Sequence, residues 1–225
     1  MFDDPFLPYD QNASVPSLFV VSSMFPDPLP SVPTMIATRL QLELLLQDSP
    51  IDLGAVSEVI LADPGATLQI LRLIGEEYPN PEDRPTRMED CLASLNMQHC
   101  YHVVCASTLP QNSGLLAEWQ RIRRVAHCAR ELARCIDGFS PEEAYIVGLL
   151  HQVGKFPHLL GWDPSGESSH EQDALGLMLA DCWQLPEYLL TAIREQRESI
   201  TSSRWGDFLQ MAQRVAEQDE TLFNS

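Results

Sequence analysis

The stretch SPEEAYIVGLLHQVGK, at residues 140–155, decides the fold. Ser140 followed by Pro141 combines an N-cap side chain with a proline at the first helical turn, and Glu143 completes a capping box. An apolar run follows and ends near Gly154. The sequence therefore predicts a helix that begins at Pro141 and ends near Gly154.

One face of this predicted helix points a histidine at the core. The spacing i, i+3, i+4 and i+7 places on that face Ala144, Val147, Gly148 and His151. Gln152 lies one position around the helix, and Lys155, the only lysine of the chain, follows its negative end. A buried helix that ends in this way resembles a metal site, whereas a single core-facing histidine is typical of a hydrogen-bonded structural residue.

Helical signals continue toward the N-terminus. Further helices are predicted to begin after residue 33 and to occupy 52–62, 63–75, 86–96 and 97–107. Asp63 is an N-cap followed by proline, and Gly75 is the expected stop. Thr86 and Glu89 form a capping box. Asn96 is expected to end that helix, because asparagine tolerates the left-handed conformation.

The first of these helices shows the periodicity most simply, since Ile36, Leu40 and Leu44 recur at i+4 spacing. One more helix is predicted before the stretch at 140–155, at about 115–135. Three are predicted after it, at about 170–184, 186–197 and 203–217. No convincing period-2 alternation occurs anywhere. The predicted fold class is all-α.

One loop and a proline-rich segment divide the chain. Residues 1–33 carry seven of the 17 prolines, so residues 1–27 are predicted to form an N-terminal arm. The loop TLPQNSG at 108–114 separates a predicted N-terminal helical lobe, residues 28–110, from a C-terminal helical lobe, residues 111–225.

Composition limits the classes of partner. The net charge is −18, from 32 acidic against 14 basic residues, and this field repels nucleic acid and anionic membranes. The six cysteines include no C-x-x-C pair, so we expect reduced thiols, most of them in the core. The start MFDDPF is not that of a signal peptide, and no apolar run reaches the roughly 20 residues that span a bilayer. These features favour a cytoplasmic protein.

The order of several segments resembles the HDOD domain family, a non-catalytic relative of the HD-type metal-dependent phosphohydrolases. The segments are LPSVPTMIATRLQLELLLQD at 29–48, VSEVILADPGATLQILRLI at 56–74, MEDCLASLNMQHCYHVV at 88–104, EWQRIRRVAHCARELA at 118–133, SPEEAYIVGLLHQVGK at 140–155 and ALGLMLADCWQLPEYLLTAIREQ at 174–196. The resemblance implies an HDOD-like fold whose C-terminal lobe is a degenerate HD-domain helical bundle.

The resemblance also indicates where an active HD enzyme would hold its metal. Its ligand positions correspond here to Arg121, His151, Gln152, Gln172, Glu195, Gln196 and Gln213, with Lys155 beside them. Only His151 is a good ligand, because glutamine binds metals weakly and a guanidinium cannot bind them. We expect no metal, no cofactor and no phosphohydrolase activity, with the glutamines hydrogen-bonded to Arg121.

The function that the resemblance implies is that of a bacterial signalling module that acts by binding an unidentified regulatory protein. Its oligomeric state is left open by the sequence. One alternative is a phosphohydrolase that uses His151 with Asp173, Asp181 or Glu195 as further ligands. A second alternative is a sensor of nucleotides or other anions, with Arg121, Arg124 and His151 as contacts.

Two other clusters raise binding hypotheses. His99, Cys100, His102 and Cys105 lie on one short segment, but helical geometry spreads them too widely for a zinc site. The predicted helix at 115–135 is locally basic, with arginines at 121, 123, 124, 130 and 134. These arginines form either a solvated face paired with glutamates or an anion-binding or docking surface.

Overall fold

The structure is a computed structural model that describes residues 32–106, 113–161, 169–198 and 204–223. The described residues belong to one compact unit, Ser31–Ser225. The predicted arm and the predicted lobe boundary at 108–114 lie almost entirely outside the described residues. The division into two lobes therefore stays a prediction.

The described residues form helices and no strand, which confirms the predicted all-α class. In chain order the helices are α1 (Ile36–Leu45), α2 (Leu53–Leu61), α3 (Pro64–Glu77), α4 (Met88–Ser94), α5 (Met97–Val104), α6 (Ser113–Cys135), α7 (Pro141–Leu150), α8 (Phe156–Leu159), α9 (Ser169–Cys182), α10 (Glu187–Glu198) and α11 (Arg204–Phe223). Short 3-10 helices occupy Pro81–Asp83 and Val153–Lys155.

Helix α7 begins as the sequence predicts and ends earlier. Ser140 is its N-cap, with the Glu143 amide donating to the Ser140 hydroxyl, and Pro141 is its first residue. The predicted end near Gly154 is wrong, because α7 ends at Leu150 and the chain tightens into the 3-10 helix. His151 therefore caps the helix, where it is buried as predicted.

Helix α7 packs along α6 at very short range. A Cβ on Gly148 would lie 2.7 Å from the Ala126 Cα, closer than real side-chain contacts allow. A second close approach brings α9 onto the 3-10 helix, since a Cβ on Gly176 would lie 3.0 Å from the Gly154 Cα. These two approaches fix the position of the segment that carries His151.

The N-terminal helices are anchored on a buried carboxylate. Asp63 is the N-cap of α3, as predicted, and accepts hydrogen bonds from the Gly65 amide at 2.9 Å and the Ala66 amide at 3.4 Å. It also accepts one from the Met35 amide at 2.7 Å, which ties the start of α1 to α3. Burial raises the pKa of Asp63, and these hydrogen bonds act against that rise.

Two residues predicted to end helices have a different role in the structure. Gly75 does not stop α3, which continues to Glu77. Instead Gly75 lies against Gln184, whose Cβ and carbonyl oxygen would be 2.9 Å from a Cβ on Gly75. Asn96 does separate α4 from α5, but it does so with extended backbone as the N-cap of α5, and its side chain accepts from the His99 amide.

The predicted capping box at Thr86 does not form. The N-cap of α4 is Arg87, and no side chain of its own turn caps the helix. The Met88 amide donates instead to the carboxylate of Glu142, which comes from α7, 54 residues along the chain.

Helix α1 carries an exposed apolar stripe. Ile36, Leu40 and Leu44 predict the helix correctly, but their side chains are 44%, 53% and 67% exposed. The residues of α1 that enter the core are Thr38 and Leu42. Beside α1 lies a groove of about 710 Å³, lined by residues of α1 and α5 and the segments next to them.

All six cysteines are free, but only Cys91 and Cys100 are buried, so the expectation that most lie in the core is wrong. Burial raises the pKa of Cys91 to about 12 and that of Cys100 to about 11. Cys135, at the end of α6, is exposed.

Candidate functional site

Three helical segments bring predicted site residues together. Arg121 comes from α6, Gln152 from the turn after α7 and Gln213 from α11, and all three line one cavity of about 190 Å³. Arg124, the second predicted anion contact, lines it as well. The full lining is Arg121, Arg124, Val125, Gln152, Gln213, Ala216 and Glu217.

Arg121 is held by two neighbours. Its Nε donates to Glu118 Oε2 at 3.0 Å, and its Nη2 donates to the other oxygen of that carboxylate. Nη2 also donates to the side-chain oxygen of Gln152. The Arg121 hydrogen bond is the main reason that the pKa of Glu118 is lowered. One predicted glutamine contact is therefore present. Glu118 was not predicted as a partner, although its i, i+3 spacing to Arg121 is typical of an ion pair on a helix.

His151 is the one imidazole of the site, and only 4% of it is exposed. Its Nδ1 lies 2.8 Å from the Gly148 carbonyl oxygen, and since that oxygen can only accept, Nδ1 carries the proton. Its Nε2 is buried and has no hydrogen-bond partner in the described part of the chain. Burial lowers the pKa of His151 to about 4, and the charges of Arg121 and Lys155 act in the same direction. The ring is therefore neutral at physiological pH.

The other predicted site residues are less closely grouped. Lys155 is half-buried in the 3-10 helix, and its charge acts on both Glu118 and His151. Gln172 belongs to α9, but its side chain lies outside the described residues. Gln196 belongs to α10 and does not line the cavity.

The residues of the cavity do not fit a divalent metal ion. His151 is not among the residues that line the cavity. Its Nε2 has the lone pair that a ligand needs, but the fixed positive charge of Arg121 acts on this ring and opposes a second cation. Gln152 offers a neutral oxygen that Arg121 already uses, and Glu118 is paired with the same cation. Within the described ranges no three histidine, cysteine or acidic side chains are grouped so that they could hold a metal.

The additional ligands considered for a phosphohydrolase lie elsewhere or are occupied. Glu195 Oε2 accepts from the Trp205 amide at 2.8 Å and the Gly206 amide at 3.3 Å, so it caps the start of α11. Asp181 is exposed near the end of α9. The side chain of Asp173 lies outside the described residues.

The cluster on α5 is dispersed. Cys100 is buried, Cys105 is half-buried, and His99 and His102 are exposed. These side chains therefore do not converge on one point.

Comparison with known proteins places this geometry in a family. The family model of the HDOD domain matches residues 29–162, which is more than half of the chain. The chain belongs to the HDOD domain family. The HDOD match covers both the anchor at Asp63 and the segment that carries His151.

Two solved structures of one response regulator have a similar fold. The MmoQ response regulator from Methylococcus capsulatus str. Bath superposes with a TM-score of 0.69 at 20% identity, covering 85% of this chain and 88% of that one. A fragment of MmoQ, residues 20–298, gives 0.66 at 20% identity, with 83% and 84% covered. A protein of Shewanella amazonensis SB2B with a provisional phosphohydrolase name gives 0.47 at 24% identity, with 92% and 83% covered. No curated protein sequence matches this HDOD chain.

Proposed function

We propose that this HDOD protein is a non-catalytic regulatory module, cytoplasmic and bacterial, that acts by binding a partner protein. The observation that carries the proposal is Arg121. Its guanidinium donates to Gln152 and is held by Glu118, and a fixed positive charge among these residues opposes the binding of a metal cation. A hydrolase of the HD type depends on a metal-activated water, and this donor set supplies neither the ligands nor the charge for one.

The exposed stripe of α1 supports action by binding. Three large apolar side chains, Ile36, Leu40 and Leu44, face solvent along one line beside a wide groove. Contiguous exposed apolar surface is typical of protein–protein contact sites. None of the described helices has the length and apolar character that a membrane crossing requires.

The first experiment measures metal content and metal binding in three forms of the full chain. Protein purified without a metal-binding tag is expected to carry less than about a tenth of an equivalent of iron, manganese or zinc. The triple variant Arg121→His/Gln152→Asp/Gln213→Asp restores imidazole and carboxylate donors around His151 and is expected to bind Mn²⁺. A matched control, Arg134→His/Gln184→Asp/Gln210→Asp, makes the same chemical changes outside the cavity and is expected to bind none.

One or two equivalents of metal in the wild type, lost in His151→Ala, would overturn the non-catalytic proposal. Phosphodiester hydrolysis would then be tested, as the enzyme alternative requires. Failure of the triple variant while it stays folded would show that these positions do not converge on one ion.

A second candidate function is the sensing of a small anion in the cavity. Arg121 and Arg124 both line it, and its volume of about 190 Å³ lies below the roughly 300 Å³ at which ligand pockets usually begin. An anion the size of phosphate or pyrophosphate fits this volume better than a whole nucleotide does. A thermal shift with pyrophosphate that is lost in Arg121→Ala, and is absent with nucleosides, would support this function.

A further inference from the structure

Two arginines of α6 stand apart from the other basic residues of that helix. Arg121 is paired with Glu118 and Arg134 with Glu131, each within the helix. Arg123 and Arg130, by contrast, have no carboxylate within ion-pair distance anywhere in the described part of the chain. In a protein with 32 acidic residues and a net charge of −18, two such guanidiniums on one helix call for an explanation.

Arg123, His127 and Arg130 lie on one face of α6, at i, i+4 and i+7. The His127 ring is exposed, and the two arginine side chains are partly exposed. Arg130 Nη2 lies 3.1 Å from His127 Nδ1, and because a guanidinium only donates, this nitrogen is the acceptor and the ring is neutral. The three side chains thus form one accessible basic surface.

The floor of this surface is Tyr145 from α7, which is only 2% exposed. The Arg130 guanidinium carbon lies 4.7 Å from the centre of the Tyr145 ring, and the His127 ring meets that ring edge-on at 5.3 Å. The phenol itself donates to the Leu61 carbonyl oxygen at 3.0 Å, so its orientation is fixed. Tyr145 therefore holds Arg130 and His127 in place without neutralising either side chain.

The arrangement has unused hydrogen-bond capacity. The Nε atoms of Arg123 and Arg130 are buried without an acceptor in the described residues. Burial lowers the pKa of His127, and the charges of Arg130 and Arg123 lower it further; Glu131 acts in the opposite direction. Three groups that can all carry positive charge are thus held together with no internal counterion, which is unfavourable unless an anion joins them.

We propose that Arg123, His127 and Arg130 form a binding site for a phosphomonoester dianion. The two guanidiniums supply two positive charges, and a phosphomonoester carries between −1.5 and −2 at pH 7 with three acceptor oxygens. A single carboxylate would neutralise only one guanidinium. The neutral His127 ring carries its proton on Nε2, which can supply a third donor. This site is separate from the Arg121 cavity, and its test does not depend on how that cavity is used.

The test follows the His127 ring by NMR during pH titrations of the full chain at constant ionic strength in chloride. The resonance is assigned with His127→Gln. Saturating inorganic phosphate is expected to raise the pKa of His127 by about one unit, because the bound anion favours the imidazolium. The effect is expected to vanish in Arg123→Gln/Arg130→Gln and to persist in Arg134→Gln, the matched control on the same helix.

A second arm uses a blocked tripeptide with a central phosphoserine. If the pKa of His127 rises with free phosphate alone, the ligand is a small phosphorylated molecule. If it rises with the peptide, the ligand is a phosphorylated protein segment. Either result supports the site. Arg121→Ala is included so that binding in the neighbouring cavity is recognised, and a response lost in that variant but kept in Arg123→Gln/Arg130→Gln would overturn the assignment.

The proposal is also overturned if neither probe moves the pKa of His127, or if acetate at the same ionic strength moves it equally. Should the double glutamine variant unfold, Arg123→Lys/Arg130→Lys keeps the charge but loses the planar fork, and a weaker response in it is expected.

Discussion

A single side chain decides what the cavity of this protein can hold. Arg121 carries a permanent charge that acts on His151, and it uses both Glu118 and Gln152 as partners. Its pair with Glu118 is more shielded from solvent than the pair between Arg134 and Glu131, although both have i, i+3 spacing on α6. The coupling free energy of the shielded pair can therefore be compared with that of an exposed pair of the same spacing on the same helix.

Double-mutant cycles to alanine are expected to separate the two pairs. The coupling free energy between Arg121 and Glu118 should be about 1 kcal/mol, because the pair is partly buried and uses two hydrogen bonds. The coupling between Arg134 and Glu131 should be about 0.3 kcal/mol, as for an exposed helical pair. Urea unfolding of the single and double variants gives both values. Equal couplings would mean that Arg121 is an ordinary surface arginine.

His151 predicts a specific acid sensitivity. Its folded pKa of about 4 lies below the unfolded value of about 6.5, so the unfolded chain takes up the proton first as the pH falls. Stability that is fully present above pH 6.5 is therefore lost as the pH drops toward 4, by about 3 kcal/mol in total. The difference in unfolding free energy between wild type and His151→Gln should change by that amount across this window. The exposed His99→Gln variant is the control. The prediction would be contradicted if the difference in unfolding free energy between wild type and His151→Gln did not change with pH.

At the scale of single elements, a helix boundary is predictable from sequence when the contact that fixes it is local. The starts at Asp63 and Ser140 were predictable, because the capping side chain and the amide that it binds lie within three residues. The start of α4 was not, since its capping carboxylate belongs to Glu142 in another helix. Gly75 likewise resembles a local stop, but it is glycine because Gln184 packs against it.

The same distinction applies to the two sites. The family resemblance grouped Arg121, Gln152 and Gln213 at one site, and the structure brings these three residues to one cavity. The isolation of Arg123 and Arg130 was not predictable, because it depends on Tyr145 and on the absence of nearby carboxylates from other described elements. The apolar spacing of α1 predicted a helix but not which face is covered, since burial depends on what packs against it.

The close packing of α6 on α7 predicts that one methyl group added at Gly148 lowers the stability of the protein. Gly148→Ala places a Cβ 2.7 Å from the Ala126 backbone, so the helices must separate, and we expect a loss of about 1–3 kcal/mol in unfolding free energy. In α2, a Cβ on Gly54 would meet only the Asp52 side chain, at 3.2 Å. Gly54→Ala should leave stability unchanged or raise it by up to about 1 kcal/mol. Thermal and urea unfolding test both, and a neutral Gly148→Ala would mean that the helices have room to move.

On the scale of the whole described unit, several long-range hydrogen bonds join residues before 107–112 to residues after them. They include Tyr145 to the Leu61 carbonyl at 3.0 Å, Arg84 Nη1 to the Gln184 carbonyl at 2.8 Å, and the Met88 amide to Glu142. None of them joins neighbours in sequence. They predict that the two predicted lobes unfold together.

The distribution of tryptophan makes this cooperativity measurable without labels. All four tryptophans, at 119, 162, 183 and 205, follow the predicted lobe boundary, whereas helices on both sides contribute to far-UV circular dichroism. We expect the fluorescence and dichroism transitions in urea to coincide. Arg84→Ala/Tyr145→Phe should lower the common midpoint. Two separated midpoints in the wild type would show that the lobes are independent domains.

The presence of one lysine in 225 residues gives the candidate site a natural cleavage point. An endoproteinase that cuts only after lysine has a single target bond, between Lys155 and Phe156, and would release fragments of 155 and 70 residues. That bond joins the 3-10 helix to α8, and the Phe156 side chain is fully buried. Since a protease requires an unfolded segment, cutting occurs only when the chain opens at this point. The rate of digestion of the unmodified protein therefore reports how often the segment next to His151 opens.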